Sequence, residues 1–354
     1  MFDINFYMKT FEIKQRLDQG NILDKQETFS KLEELRDRKP TIYNIETTNA
    51  CNMRCKMCPR TTMMSRKIET INHEVFLNII NQIHPHSEKD WKKWERFIVE
   101  QYGIGPDEMS ENHFFLYIIP KVIQLHGYGD PLLDVHMPEY VKLLSERGFQ
   151  SYFSCNPANI NIKQTIKMFE NGLDYIKYSI ESVDDEEFKS IRGEASNFTE
   201  SYNQIRTLLE IKKEKNYKTT IIITMLDLNR TGQVEEFKKL SKAFSGLDVY
   251  IYLKSEDQQW YRQDYHGTES VHWSEFCKHP WMSMTIKSNG EVAMCMEDFN
   301  NEIILGDCNK ESLYDIWNGK KYNQFRHDHF DLTKGLKCTE ECDMKMAGNY
   351  FKEL

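Results

Sequence analysis

The sequence predicts an α/β fold: a partial (β/α)6 TIM-like barrel followed by a small C-terminal module that contains a hairpin. Three observations carry this. Short apolar runs alternate with amphipathic helical runs from residue 41 to residue 253, a cysteine cluster falls in the loop after the first run, and beyond about residue 265 the pattern changes to a hairpin with Asn-Gly at its turn. Such alternation builds a parallel sheet with its βα loops gathered at one end. About six strands can be counted, fewer than a closed barrel requires.

Taken in order, residues 1–40 read as two polar amphipathic helices, with Ile13, Leu17, Phe29, Leu32 and Leu35 at roughly helical spacing and Pro40 closing the segment. They are expected to be a preamble rather than a domain. The barrel, residues 41–265, opens with the strand TIYNIET and the helix NHEVFLNIINQI. An insertion at about residues 85–117 follows, carrying Trp91, Trp94, Phe97, Tyr102, Phe114 and Phe115, and a connection of that length is unusual for a βα unit. The preferred reading is a helical satellite packing its own side chains; the other is a cover for the barrel mouth or a partner surface. The alternation resumes with strands KVIQLHG, SYFSC, YIKYSI, TTIIITM and LDVYIYL, separated by helical runs, among them MPEYVKLLSERG, IKQTIKMFENG, SYNQIRTLLEIKKEK and VEEFKKLSKAF. Residues 266–354 form the last module, with the hairpin MTIKSNGEVAMCM.

The 354 residues carry a formal charge of −9, with Lys and Arg spread along the chain, which argues against a nucleic-acid surface or a polybasic membrane contact. No apolar run is long enough to span a bilayer and the first residues lack the pattern of a signal peptide, so a cytoplasmic protein is expected. Nine cysteines, an odd number, fit disulfides poorly in that compartment; clustered thiols there are more often metal ligands or redox catalysts.

Cys51-Asn-Met-Arg-Cys55-Lys-Met-Cys58 lies where α/β active sites lie, at the carboxyl end of the first strand. Three thiolates can ligate three irons of a cubane and leave the fourth open, whereas a structural metal normally takes four protein ligands. A zinc knuckle completed by a distant cysteine is the competing reading. The CxxxCxxC spacing after Glu46-Thr47-Thr48-Asn49 resembles the radical S-adenosylmethionine (SAM) superfamily, and the resemblance covers most of the chain from about residue 40.

That resemblance implies a SAM-binding [4Fe-4S] cluster on Cys51, Cys55 and Cys58 and one-electron cleavage of SAM to a 5′-deoxyadenosyl radical. It also places other residues. His126-Gly127-Tyr128-Gly129-Asp130-Pro131 looks like the glycine-rich GGEP-type motif that contacts the SAM amino group, with Tyr128 replacing a glycine and Asp130 a glutamate. Asn156, within Ser154-Cys155-Asn156, and Ser179 and Glu181, within Ser-Ile-Glu, occupy family positions near the ribose and carboxylate of SAM. Arg192, before Gly193, is the candidate partner of the SAM carboxylate, a group its guanidinium fork suits. Met57 stands where the family usually has an aromatic near adenine.

In the last module Cys277, Cys295, Cys338 and Cys342 make four thiolates, enough for a closed site. The stretch from His279 through Gly290 and Cys295 to Trp317 resembles the SPASM and shorter twitch extensions of radical SAM enzymes. The few cysteines favour the twitch form, with one auxiliary [4Fe-4S] cluster, and zinc is the rival occupant. Cys308 and Cys155 are left outside the ligand set as packed thiols.

By this resemblance the expected activity is hydrogen abstraction from a polar small molecule, such as a sugar or aminocyclitol, completed as a two-electron oxidation through the auxiliary cluster. The alternatives are epimerisation, with Cys155, Cys308 or a tyrosine returning hydrogen, and modification of a peptide. A non-catalytic iron–sulfur or zinc protein is the reading from another class. A low-potential donor such as flavodoxin or ferredoxin is implied. The acid, base and substrate ligands are not legible; His126, Tyr128, Trp260, Tyr261, His266 and Arg326 are polar or aromatic groups near motif ends.

Overall fold

The structure, a computed structural model, describes residues 1–19, 24–228, 230–254, 277–331 and 335–340. Trp260, Tyr261, His266, Cys342 and the boundary expected near residue 265 lie outside them. Six parallel strands run Ile42–Ile45 (β1), Val122–Gln124 (β2), Gln150–Cys155 (β3), Tyr175–Ser179 (β4), Thr220–Leu226 (β5) and Val249–Lys254 (β6), each beside the next. Among the described residues the sheet does not close. Beyond β1 it continues into the C-terminal module through Met284–Ile286 (β7), parallel to β1, then antiparallel Glu291–Ala293 (β8) and Ile304–Asp307 (β9). The last module therefore extends the barrel sheet, with Ile45 opposite Ile286.

Strand periodicity divides the side chains between two faces. Ile123, Phe153, Ile176, Ile221 and Ile223 point outward, where Phe76, Ile79, Val141, Leu144, Leu208 and Leu240 of the helices cover them. Tyr43, Tyr152, Ile222, Tyr250 and Tyr252 point inward and belong to a second core.

That second core corrects the expectation for the insertion. Helix Glu88–Tyr102, started by Ser87 accepting from Asp90 N and ended at Gly103 with φ of 67°, leads to a π-helical turn at Phe114–Ile118. Phe114 meets Tyr152 at 5.4 Å and Tyr252 at 5.5 Å, and His113 joins Tyr250 at 3.0 Å, so the insertion packs onto the inner barrel face instead of forming a satellite. The first 40 residues are corrected likewise. Among the described residues they form three helices rather than two, Ile4–Lys9, Phe11–Asp18 and Lys25–Leu35, and Phe2 and Tyr7 lie edge-on to the fully buried Trp94 of the insertion. Burying such aromatics, each worth a few kcal/mol when removed from water, makes this segment part of the core.

Candidate active site

The loop after β1 is shaped by the hydrogen bonds its backbone finds. Arg54 N and Lys56 N donate to the carbonyls of Arg192 and Ile191, which lie at the end of helix Asp185–Arg192 and have no partners of their own within it. Gly193 follows at φ 106°, and a Cβ there would stand 3.1 Å from Arg54 N. Thr61 Oγ1 and Arg60 Nε close the loop on the carbonyls of Cys55 and Asn49. Asn52, next to Cys51, exchanges amide hydrogen bonds with Asn159, whose Nδ2 also reaches Asp130 at 2.8 Å.

This loop opens on a cavity of about 400 Å3. Its walls hold Cys51, Cys55 and Cys58 together with Met57, Tyr128, Gly129, Asp130, Asn156, Ser179, Glu181 and Arg192, so the sequence candidates for the triad and its surroundings converge there. Cys277 and Cys295 stand in the same walls, as do Cys155 and His126. Cys338 is buried and contacts His329, outside the lining. Cys308 is packed in the main core, and burial pushes its thiol up to about 12. Arg326 lies away from the cavity, stacked on Trp317 and Tyr322 and donating to the carbonyls of Pro280 and Trp317.

Several candidates serve one another. The Arg192 guanidinium forks the fully buried Glu181 carboxylate at 2.5 and 2.6 Å and points Nη1 at Cys55 Sγ, 3.6 Å away. Asp130, buried, accepts from Leu132 N, Asn156 N and Asn159 Nδ2, leaving about one of its four acceptor sites for a ligand. Burial raises its carboxyl above the ordinary range, and those hydrogen bonds oppose the rise. The glycines before it are required by protein contacts: a Cβ on Gly127 would meet Glu46 Oε1 at 2.5 Å and one on Gly129 would meet Thr48 O at 2.1 Å.

Sequence reasoning passed over Glu46 as the end of a strand. It is fully buried and accepts from Arg66 Nη1 and Nη2 at 2.8 and 2.9 Å, Tyr128 N at 2.9 Å and Ser288 N at 3.1 Å. Burial pushes its carboxyl up, but the hydrogen bonds and charge of Arg66 outweigh this and leave it below the ordinary value. One carboxylate thus joins β1, the cysteine loop, the glycine loop and the C-terminal hairpin. Tyr128 OH adds a second tie, donating to Glu297 at 3.0 Å, two residues beyond Cys295. Lys177, which points into the cavity beneath the rings of Phe114 and Tyr152, was also missed; a lone lysine inside YIKYSI was its signal.

Among the described residues, Asn156 Nδ2 and His126 Nδ1 are buried atoms of the walls without a hydrogen-bond partner. Burial, helped by the charge of Lys177, pushes His126 down to about 3, so its ring is neutral at neutral pH. Three thiols in one loop, with an amide donor and a carboxylate beside them, fit an iron–sulfur cluster that leaves one iron to bind an amino acid-like ligand.

A loop with three thiols at the carboxyl end of an open parallel sheet, sharing one cavity with Cys277 and Cys295, is the arrangement expected of an iron–sulfur enzyme. The radical SAM superfamily model matches residues 45–240, more than half the chain, and the model of an iron-sulfur cluster-binding domain, SPASM, matches residues 277–343. The chain belongs to the radical SAM superfamily and carries a SPASM domain. A [4Fe-4S] cluster, SAM and auxiliary iron–sulfur binding belong to it accordingly. Among solved structures, anSMEcpe with bound AdoMet is similar at a TM-score of 0.53 and 13% identity, over 85% of this chain and 87% of that one. SuiB of Streptococcus suis bound to S-adenosylmethionine is similar at a TM-score of 0.52 and 12% identity, over 96% and 81%. BtrN in complex with AdoMet and 2-DOIA gives a TM-score of 0.43 at 15% identity, over 82% and 87%. The likenesses to anSMEcpe and SuiB are of fold. No curated protein matches the sequence. Among the described residues no helix is long and apolar enough to cross a membrane.

Proposed function

We propose that this enzyme abstracts a hydrogen atom from a polar small molecule, a sugar or aminocyclitol, and completes a two-electron oxidation. The observation that carries the reading is the shared cavity, lined by Cys51, Cys55 and Cys58 and also by Cys277 and Cys295. Bound there, SAM and the triad cluster supply a 5′-deoxyadenosyl radical, and the auxiliary cluster supplies an electron acceptor. In this assignment Cys51, Cys55 and Cys58 hold the first cluster; Cys277, Cys295, Cys338 and Cys342 hold one auxiliary [4Fe-4S] cluster. Met57, Tyr128, Gly129, Asp130, Asn156, Ser179, Glu181 and Arg192 frame SAM. Asp130 offers its remaining acceptor site to the SAM ammonium, Asn156 Nδ2 donates to a ligand oxygen, and Arg192 holds Glu181 in place while steadying the Cys55 sulfur. Residues 41–265 act as the barrel and 266–354 as the auxiliary module, with a flavodoxin or ferredoxin delivering electrons.

The test is anaerobic turnover with a panel of sugars and aminocyclitols, reading 5′-deoxyadenosine and product mass. A product two mass units lighter, formed with one 5′-deoxyadenosine and lost in Cys295→Ala while SAM cleavage persists, supports oxidation. A product of unchanged mass supports epimerisation, for which Cys155 and the tyrosines of the cavity walls, Tyr128 among them, are candidate hydrogen donors. Peptides belong in the same panel, since anSMEcpe, whose fold this chain shares, has also been solved with a bound peptide.

A further inference from the structure

The cysteine loop and the glycine loop grow from neighbouring strands, and the backbone pairing of those strands ends before the loops begin. β1 is joined to β2 at Asn44 and Gln124. Beyond that pair, toward the loops, side chains of the first strand take over. Asn44 Nδ2 donates to the carbonyl of His126 at 3.1 Å, and Tyr128 N donates to Glu46 Oε1 at 2.9 Å. Asp130 N then donates to the carbonyl of Ala50 at 2.8 Å, beside Cys51. An amide and a carboxylate thus stand where a backbone N–H and a backbone C=O would stand in a regular ladder. The residues between are glycines pressed on the same segment, Gly127 on the Glu46 side chain and Gly129 on Thr48 and Asn49. The Glu46 N–H is engaged on the opposite side, donating to Ile286 of β7 at 2.8 Å. Asn44 is buried, and its Oδ1 has no hydrogen-bond partner among the described residues. A buried amide with one group unpaired is costly, and an aliphatic side chain would avoid the cost, so packing alone does not account for Asn44.

We propose that Asn44 and Glu46 are positioning residues for SAM: their side chains carry the register of β1 and β2 past the ends of the strands and so set the glycine loop, with Asp130, against the cysteine loop. The inference rests on the reading above, in which the triad holds the first cluster and Asp130 accepts from the SAM ammonium. A ligand held from two loops at once binds tightly only while the loops keep their spacing. Neither side chain lines the cavity, so each acts through the residue it holds, Asn44 through His126 and Glu46 through Tyr128. The larger share falls to Glu46, which also accepts from Arg66 and from Ser288 N.

The test uses the full chain after anaerobic reconstitution with iron and sulfide, with SAM itself as the probe. Asn44→Leu removes the amide donor and keeps its volume, and Glu46→Gln keeps the shape of the carboxylate but leaves one oxygen for four N–H donors. SAM affinity is read by calorimetry, and the approach of SAM to the triad by the change it causes in the EPR spectrum of the reduced cluster. Iron content and denaturant unfolding are measured on the same samples. The expected result is iron at the parent level, SAM affinity weakened about tenfold in Glu46→Gln and by a smaller factor in Asn44→Leu, and the parent EPR change recovered at saturating SAM. Lower stability with SAM affinity unchanged in both variants would overturn the proposal by making the two residues merely structural. If Glu46→Gln fails to load iron, Asn44→Leu decides, since the Asn44 side chain bonds neither Arg66 nor the hairpin: weaker SAM binding with iron intact upholds the proposal and parent affinity overturns it. Loss of iron in both variants would also overturn it, assigning the residues to the folding of the cysteine loop. Asp130→Asn is the control on the reading beneath: unchanged SAM affinity there would remove Asp130 from the site, whereas weakened affinity with unmoved Asn44 and Glu46 variants would overturn only their positioning role.

Discussion

At the triad end of the cavity the cysteines ride on an irregular loop bordered by charge, with the Glu181–Arg192 pair, Asp130 and the Asn52–Asn159 exchange around them. In the C-terminal module, outside the cavity lining, Cys338 is buried beside His329, and the rings nearby are Trp281 and Phe325. A charged, hydrogen-bonding rim suits a site that must admit and orient a zwitterionic cofactor, while an aromatic enclosure suits a site closed on its own ligands. Glu46 and the Tyr128–Glu297 bond hold the two ends together, so each can be altered while the other reports.

The largest expected effect is Cys55→Ala, which should abolish 5′-deoxyadenosine formation and leave the auxiliary cluster's EPR signal in place; loss of both signals would mean that the two ends assemble as one. Arg192→Ala comes next. It strands the buried Glu181 carboxylate, so a loss of about 3–5 kcal/mol in denaturant unfolding is expected together with weaker SAM binding by calorimetry. Gly129→Ala drives a methyl group into Thr48 O and should cost about 1–3 kcal/mol, again read by unfolding, with SAM affinity falling and auxiliary iron unchanged. The last effect appears only in acid. His126 is depressed to about 3 in the folded protein and titrates near 6.5 when unfolded, so its contribution to stability is present above pH 6.5 and is lost as pH falls toward 3. His126→Gln should flatten that limb of the stability curve, and an unchanged limb would show the ring to be more open than its surroundings indicate.

Much of the barrel was legible because its signals are local. TTIIITM and YIKYSI are short apolar runs bounded by helices, and they appear as β5 and β4 within a residue or two of their expected ends. The cysteine loop announced itself by spacing. What was not legible depends on pairings between distant parts of the chain: β7 joins β1 across more than 200 residues, and nothing in MTIKSNG records that its neighbour is TIYNIET. The insertion was misjudged for the same reason, since aromatic spacing shows that Phe114 packs but not that it packs on Tyr152 and Tyr252. Glu181 and Arg192 were both expected to face SAM, and their grip on each other has no trace in their separation along the chain.

The most direct test of the account is iron and sulfide content after anaerobic reconstitution, with zinc assayed alongside, in the natural chain and in the variant carrying Cys51→Ala, Cys55→Ala and Cys58→Ala. About eight irons per chain falling to about four is the predicted result, one four-iron cluster at each end of the cavity. About four irons falling to none, with zinc retained, would contradict it by making the C-terminal site structural and leaving the oxidation without its electron acceptor.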